Sequence, residues 1–441
     1  MIPCLGPAVA RAGVDHGAPE SGGSGESLAI VVIFIACLVA AYLIAHFVVD
    51  RLQQRFLVHV GLEYIFVGVA IGPLVPQIPV LSDLRGILPM IALAAGWIGL
   101  LRGMELNLRQ LGRAPGSAQV SLVHAVVAGG LCTAGAYHAF LAPGWPRPAS
   151  PAAQVALCAG VLGCVAAAGG TAPLQVLARR YTLEGPLVPL LARAARLSDL
   201  FAIAVFGVLF CVFRPEGSQA GLILSATEWA VVSVGLGLGL GLLFTPFLGG
   251  EESANSRFLA LVGLICFASG TAYLLRLPAL LVNLVLGVTL VNTAKSGAKI
   301  QATLENTARP MHLVLLVLAG ALWQPPPALA TLLATAGFVL LRTLGKFLAS
   351  RVAAWGTALR PDLYRGLLGH GEVTVAMAVS FRLVYAGPLV DLTYTVILAS
   401  VVLQDLLAPR LLRALLVDAG QLERGSQVRE EALASGASRV E

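Results

Sequence analysis

The sequence predicts an all-α polytopic membrane protein with about 13 transmembrane helices, counting roughly 20 apolar residues for each crossing. Two bulk properties support this fold class. The 441 residues are 57% hydrophobic and only 12% charged, whereas a soluble domain carries roughly 25% charged residues. The mean hydropathy is +0.85. A third observation is that long apolar runs separated by short polar segments follow one another along the chain.

Taken in order, the apolar runs predict helices near 27–49, 58–75, 87–105, 117–141, 152–178, 186–213, 220–247, 256–274, 277–292, 308–323, 327–350, 363–385 and 393–416. Residues 1–26 are rich in Gly, Ser, Pro and Ala and predict a disordered polar head. The run that follows is long enough to span as an uncleaved anchor. Residues 417–441 form a short tail of mixed charge, so 27–416 is predicted to be one membrane domain.

Basic residues alternate between the predicted loops. One set of loops carries Arg51, Arg55, Arg109, Arg113, Arg179, Arg180, Arg257, Lys295, Lys299, Arg309, Arg351, Arg360 and Arg365. The opposite set carries only Arg85, Arg147, Arg214 and Arg276. Because cytoplasmic loops are enriched in Lys and Arg, we expect an odd number of spans, the N-terminus outside and the C-terminus in the cytoplasm. This makes the protein a multi-pass component of the inner or plasma membrane and accounts for its basic charge without a nucleic-acid partner.

Two predicted helices are interrupted by glycine and proline. The first contains Gly169-Gly170-Thr171-Ala172-Pro173, and the second contains Gly369-His370-Gly371-Glu372. Proline lacks a backbone donor and glycine loosens helix geometry. Irregular backbone at membrane depth persists only where protein or water satisfies it. Paired interruptions at corresponding places of two halves are typical of a transporter binding site, whereas the alternative is a pair of packing kinks.

Asp199 lies within an apolar run that has no further charge before Arg214. A carboxylate at bilayer depth costs roughly 2.5–3.5 kcal/mol on insertion scales, and such residues mark ion or proton pathways. The alternative is a structural ion pair with Arg193 or Arg196. A second aspartate, Asp405, follows the second interruption and is expected to pair near Pro409-Arg410.

Five segments together resemble the monovalent cation/proton antiporters, the bacterial sodium or potassium/proton exchangers, over about residues 27–416. They are GLEYIFVGVAIGP (61–73), LLRGMELNLRQL (100–111), RLSDLFAI (196–203), VLLRTLGKFLASRVA (339–353) and LLGHGEVTVAMA (367–378). The resemblance implies inverted repeats with two crossed broken helices, a core domain and a dimerisation domain, and a homodimer. It also implies that Asp199 binds either the cation or the proton, and that the backbone around Thr171 and Gly371 lines the site.

Further roles follow from the resemblance and from the residues. Arg342 matches an intramembrane basic residue of the family and can offset the negative half-helix ends at the crossing; the alternative is snorkelling to the cytoplasmic surface. Lys346 is expected to be an interface anchor. Glu372 is either a cation ligand or a carboxylate stabilised by the helix dipole. His370 is expected to be an ordinary loop histidine.

The sequence departs from the family pattern at Ser198, where electrogenic members have a second Asp and many electroneutral members have Asn. With a single carboxylate in this pair, we expect electroneutral exchange of Na⁺ or K⁺ for H⁺. Hard cations prefer oxygen ligands, here the Asp199 carboxylate, the Ser198 and Thr171 hydroxyls and freed carbonyls. There is no CxxC motif among the seven cysteines, so no cofactor is expected beyond the transported ions.

Other functions remain open at this point. A channel or an organic-anion/sodium symporter on a related fold, and a non-transporting sensor that keeps the fold, fit the same composition. An intramembrane aspartyl protease would need two aspartates on separate helices, as Asp199 and Asp405 are, but neither flank resembles that family. We therefore expect a transporter and not an enzyme.

Overall fold

The computed structural model describes residues 62–72, 84–108, 115–142, 152–178, 181, 183, 185–214, 224–250, 253–294, 297–324 and 328–422. Every regular element in these residues is helical, as the sequence predicts. The predicted first helix (27–49), the polar head and most of the tail lie outside the described residues. In the described ranges, seven helices are long and apolar enough to cross a membrane, and three shorter apolar helices accompany them.

The α-helices are α1 (Leu62–Ile71), α2 (Leu84–Met104), α3 (Pro115–Leu141), α4 (Ala152–Ala167), α5 (Ala172–Ala178), α6 (Leu187–Val212), α7 (Ala226–Gly250), α8 (Ala254–Leu274), α9 (Ala279–Thr293), α10 (Gly297–Ala321), α11 (Ala328–Ala354), α12 (Glu372–Val384) and α13 (Pro388–Asp418). A short 3₁₀ helix, Leu363–Gly366, precedes α12. Hence the two interrupted segments are α4–α5 and the 3₁₀ helix followed by α12.

Two helices begin earlier than the apolar runs predict. Helix α10 starts at Gly297 and not near 308, because its polar first half still buries Ile300 and Leu304 on one face against the core. An apolar-run search misses such an amphipathic start. Helix α13 starts at Pro388, where proline's missing donor costs nothing because the first turn has no intrahelical partner.

The helices pack as two bundles. The first, which we call the crossing bundle, contains α3–α6 and α11–α13; the second, the flanking bundle, contains α1, α2 and α7–α10. The crossing bundle repeats one order twice: a long helix, an interrupted helix, then a long helix that carries a buried aspartate. The two bundles meet where α2 and α10 pack against α12, and where α6 packs against α7 and α9.

Small residues hold α2 close to α9 in the flanking bundle. A Cβ atom added at Gly99 or Gly103 would overlap the backbone of α9, and one at Gly287 would overlap the backbone of α2. Glycine at these positions lets the two backbones approach, which is the usual way in which helices associate in a membrane. The end of α2, where Arg102 lies, is thereby fixed in place.

Candidate functional site

The two interruptions lie directly against each other. The backbone amide of Gly170 donates a hydrogen bond to the carbonyl oxygen of Gly369 at 3.0 Å. A Cβ atom on Gly170 would overlap the carbonyl of His370. Only glycine permits this approach at position 170. The unwound segments 168–171 and 367–371 therefore cross, and four helix ends point at one region.

Two basic side chains of α11 bind the carbonyl groups that the breaks leave unpaired. Arg342 donates to Leu368 O at 2.6 Å and to Ala168 O at 3.1 Å. Lys346, one turn later, donates to Ala167 O at 3.1 Å and to Ala168 O at 2.9 Å. Both side chains are fully buried. They supply donors and positive charge at helix C-termini, where the dipole is negative.

The interface role expected for Lys346 is therefore wrong. Its ammonium group bonds to backbone at the crossing and does not reach a membrane surface. Arg342 likewise does not snorkel; its third partner is the side-chain oxygen of Gln404 on α13, which accepts a hydrogen bond from the guanidinium. The alternative to snorkelling, a charge that offsets the half-helix ends, agrees with these contacts.

Asp199 lies in the middle of α6 and is fully buried beside the first break. Its Oδ1 accepts a hydrogen bond from the amide of Gly169 at 3.2 Å. Within the described part of the chain, neither Asp199 Oδ2 nor the adjacent Ser198 Oγ has a hydrogen-bond partner, although both atoms are buried. Buried polar atoms are nearly always paired, so such a group calls for an explanation.

The ion pair of Asp199 is formed with a residue that sequence reasoning did not single out. Arg193 is exposed, and Arg196 donates to Ala192 O on its own helix. The basic group that faces Asp199 is instead Arg102 on α2, whose Nε lies 3.8 Å from Asp199 Oδ2. Arg102 is 3% exposed. It also forms ion pairs with Glu105 and Glu372.

A sequence signal for Arg102 exists in the run GWIGLLRGMEL, where two charges close a long apolar helix. The spacing of three brings Arg102 and Glu105 together where α2 ends. The other carboxylate that pairs with Arg102 there, Glu372 on α12, is 270 residues away in sequence. Only the folded chain brings the three together.

The remaining predicted site residues surround the crossing. Thr171 is half-buried and immediately precedes α5, and Pro173 is buried in the first turn of that helix. Gly371 has extended backbone and caps α12, of which Glu372 is the first residue. Glu372 thus lies at a helix N-terminus, where a carboxylate is favoured, and its side chain also reaches Arg102. Both expectations for Glu372 remain compatible with this position.

The second buried aspartate mirrors the first. Asp405 Oδ1 accepts a hydrogen bond from the amide of His370 at 2.7 Å, as Asp199 does from Gly169. The expectation that Asp405 pairs near Arg410 is wrong, because the carboxylate turns towards the break and is only 4% exposed. His370 is fully buried, with its ring nitrogens 3.3 Å from Thr374 Oγ1 and 3.4 Å from Ser400 Oγ. It is not an ordinary loop histidine.

A cavity of about 550 Å³ opens between the two bundles. Phe206, Phe210 and Tyr385 line it on the crossing side, and Ile91 lines it on α2. Phe206 follows Asp199 by seven residues, roughly 10 Å along α6. Arg102 follows Ile91 by eleven residues, roughly 16 Å along α2. Asp199 and Arg102, which lie beside each other, are therefore both on the same side of this cavity and beyond its lining.

Buried charges at crossed, interrupted helices define this molecule as a polytopic membrane transport protein. The model of the transmembrane sodium/hydrogen exchanger family matches residues 33–414, and the chain belongs to this family of monovalent cation/proton antiporters. Its fold is similar to that of the sodium proton antiporter MjNhaP1 from Methanocaldococcus jannaschii at pH 8, with a TM-score of 0.61 and 15% identity over 87% of this chain and 97% of that one. An electron-microscopy structure of MjNhaP1 gives a TM-score of 0.55 at 14% identity over 88% and 96% of the respective chains. No curated protein matches by sequence.

Proposed function

We propose that the protein exchanges Na⁺ or K⁺ for H⁺ with no net charge movement, and that Asp199 is the site where the two ions compete. The observation that supports this most is the pair of buried oxygens, Asp199 Oδ2 and Ser198 Oγ, beside the first break. Both lack a hydrogen-bond partner in the described residues. A dehydrated monovalent cation or a proton would satisfy Oδ2.

The ligands that this site offers are all oxygens. The Asp199 carboxylate supplies the charge, and the hydroxyls of Ser198 and Thr171 together with carbonyls of the unwound segments supply neutral ligands. Hard cations prefer such sets. The amide of Gly169 holds one carboxylate oxygen and so orients the other. We assign supporting roles to Arg342, Gly371, Pro173 and Glu372, which shape the crossing around this carboxylate.

Competition between the cation and the proton for one carboxylate is enough to couple the two fluxes, with an ion gradient as the energy source. The site must release its proton before it binds the metal ion, and it must release the metal ion before it is protonated again. If only these two loaded forms of Asp199 cross between the two sides, one cation moves for each proton. Arg342 does not carry a second proton, because a guanidinium does not deprotonate in proteins.

The proposal includes the orientation and assembly expected from the sequence. The uneven loop charges favour an outer N-terminus and a cytoplasmic C-terminus in an inner or plasma membrane, with 27–416 as the exchanger domain and two copies forming a homodimer. On this orientation the cavity at the C-terminal end of α6 faces outward. A reporter fused after Glu441 that is active only outside the cell would contradict it.

The decisive experiment measures proton flux in proteoliposomes when Li⁺, Na⁺, K⁺ or Rb⁺ is added. The wild-type protein should respond to Na⁺ or K⁺. The Asp199→Asn variant keeps the side-chain volume and loses both the charge and the proton site, so it should fold and transport none of the cations. The matched control is Asp391→Asn. Asp391 lies at the start of α13, and its carboxylate pairs with Arg382 of α12. If purified Asp199→Asn protein exchanges ions at the wild-type rate, the proposal is wrong.

A further inference from the structure

Arg102 is a buried cation that reaches the candidate site from the other bundle. It lies in the last turn of α2 in the flanking bundle, whereas Asp199 and Glu372 belong to the crossing bundle. Its guanidinium therefore bridges the boundary between the two bundles at the carboxylate to which we assign ion exchange. A basic side chain at this position needs its own explanation, because it lies in the space that a transported cation would fill and attracts the carboxylate that such a cation would bind.

The three nitrogens of Arg102 have different partners. Nη1 donates to both oxygens of Glu105, the residue that directly follows α2, at 3.0 and 2.9 Å. Nη2 donates to Glu372 across the boundary. Nε faces Asp199 Oδ2 at 3.8 Å. The contact with Glu105 is local to the end of α2, three residues apart in sequence, and does not depend on how the bundles are placed, whereas the other two contacts do.

The approach of Arg102 to Asp199 stops short of a hydrogen bond. A charge-assisted bond between a guanidinium and a carboxylate has a length of about 2.7–2.9 Å. Within the described residues, Arg102 Nε and Asp199 Oδ2 are both buried and both lack a hydrogen-bond partner. Glu105 thus holds the guanidinium where it attracts Oδ2 without closing on it. The positive charge of Arg102 thus partly balances the Asp199 carboxylate, while Oδ2 stays available to a ligand that can come closer.

We propose that Arg102 is a positioning residue that competes with the transported cation for Asp199 while tethered to Glu105. The guanidinium balances the negative charge of the Asp199 carboxylate when no cation is bound, and the transported cation displaces it. This inference rests on the exchange function proposed above. Glu105 is the tether that limits how tightly the guanidinium binds. When the bundles shift relative to each other, Arg102 remains with Glu105 and is withdrawn from Asp199. Its return helps to displace the bound cation.

The first test replaces Arg102 by Gln and measures the cation dependence of exchange in proteoliposomes at alkaline pH. Removing the competitor should lower the KM for Na⁺ or K⁺ by about tenfold, the lower end of the effect of an opposite charge within 4–6 Å of a carboxylate. The kcat should also fall, because cation release loses its assistance. A merely structural role would lower kcat and leave KM unchanged or higher. Arg102→Met gives the same test with an apolar side chain, and loss of folded protein in both variants would overturn the proposal.

The second test asks whether Glu105 acts through Arg102. Glu105→Gln frees the guanidinium to close on Asp199, so KM should rise about threefold to tenfold. In the double variant Arg102→Gln/Glu105→Gln, the substitution at Glu105 should have almost no further effect. Such non-additivity is the signature of coupled residues. If Glu105→Gln raises KM equally in both backgrounds, Glu105 acts on the cation directly and the tether is refuted.

The controls separate the two proposals. Arg196 lies three residues before Asp199, and its side chain donates a hydrogen bond to the backbone of its own helix, α6. Arg196→Gln removes this positive charge and should leave KM unchanged. Arg102→Lys keeps the charge and should keep KM within about threefold of wild type. If exchange depends on Asp199 while Arg102→Gln leaves KM unchanged, the competitor is refuted and the exchange site stands. If Asp199→Asn still exchanges ions, the function itself fails.

Discussion

Ser198 and Asp199 are neighbours on α6, but they offer a cation different chemistry. The carboxylate supplies the charge, whereas the hydroxyl supplies one neutral oxygen. Ser198→Ala should therefore raise KM about threefold to tenfold with little change in kcat, in line with roughly 0.5–1.5 kcal/mol for one polar contact. The measurement is cation-dependent proton flux. The control is Ser233→Ala, a buried serine that bonds to Trp229 O in the flanking bundle, and an equal effect of both substitutions would argue against a ligand role.

The two basic residues of α11 should be required for the crossing itself. Lys346→Met leaves the carbonyl of Ala167 without its ammonium donor and that of Ala168 with Arg342 alone, and an unpaired buried group costs roughly 1–3 kcal/mol. Arg342→Met should be more damaging, because Arg342 contacts both breaks. Thermal unfolding of the purified protein checks this order. Lys299→Met, which removes an exposed lysine of α10, should leave the unfolding temperature unchanged.

Individual residues differ in how far the sequence predicts them. Asp199 is evident because a charge in an apolar run is expensive, and the expectation for Arg342 follows from the resemblance to an intramembrane basic residue of the family. Lys346 is misassigned because sequence cannot tell a side chain that rises to the membrane surface from one that turns inward. Arg102 is missed because its meaning depends on two carboxylates on other helices, and no spacing rule connects them.

At the scale of elements, the breaks could be predicted because glycine and proline disrupt a helix by local backbone chemistry. The extents of most helices likewise follow from the apolar runs. The partners of the breaks could not be predicted: the bond from Gly170 to Gly369 joins segments that are distant in sequence. The early start of α10 also depends on tertiary packing, since its polar first half is helical only because one face is buried.

Contact between the breaks should tolerate no side chain at position 170. In Gly170→Ala the new methyl group would overlap the carbonyl group of His370 and the amide nitrogen of Gly371. Because these are backbone atoms, no side chain can move aside to relieve the overlap. We expect the two segments to separate, with a loss of at least about 1–3 kcal/mol, as for an overpacked core, and with loss of exchange. Gly235→Ala in α7 is the control, because nothing lies within 4 Å of its added Cβ. Unfolding temperature and proton flux are measured for both, and a fully active Gly170→Ala protein would contradict the close crossing.

At the scale of the whole molecule, the charged residues to which we assign roles in exchange are divided between the two bundles. Asp199, Glu372, Arg342 and Lys346 belong to the crossing bundle, whereas Arg102 and Glu105 belong to the flanking bundle. The family and the fold establish a cation/proton antiporter embedded in the membrane. On the proposed mechanism, the surroundings of Asp199 decide which cation is carried and with what stoichiometry.

The stoichiometry leads to a prediction about membrane voltage. If one cation replaces one proton on Asp199, each cycle moves no net charge. The initial exchange rate should then be the same, within about 20%, when a potential of roughly 100 mV is imposed on proteoliposomes, although moving one full charge through that potential is worth about 2.3 kcal/mol. A gradient of a membrane-permeant organic cation, which this site would not carry, sets the potential while Na⁺ or K⁺ exchange is recorded. A rate that follows the potential would require a second titrating group, with Glu372 the first to consider.

The crossing of the two breaks also has a consequence for biosynthesis. The first break is made early, yet its carbonyls find Arg342 and Lys346, and its Gly170 amide finds Gly369, only after about 200 further residues have been added. At 5–20 residues per second this takes roughly 10–40 seconds. During that interval a partly unwound segment lies in the membrane without its final donors. Chains truncated before α11 would therefore lack Arg342, Lys346 and Gly369, and their first break could not form the crossing.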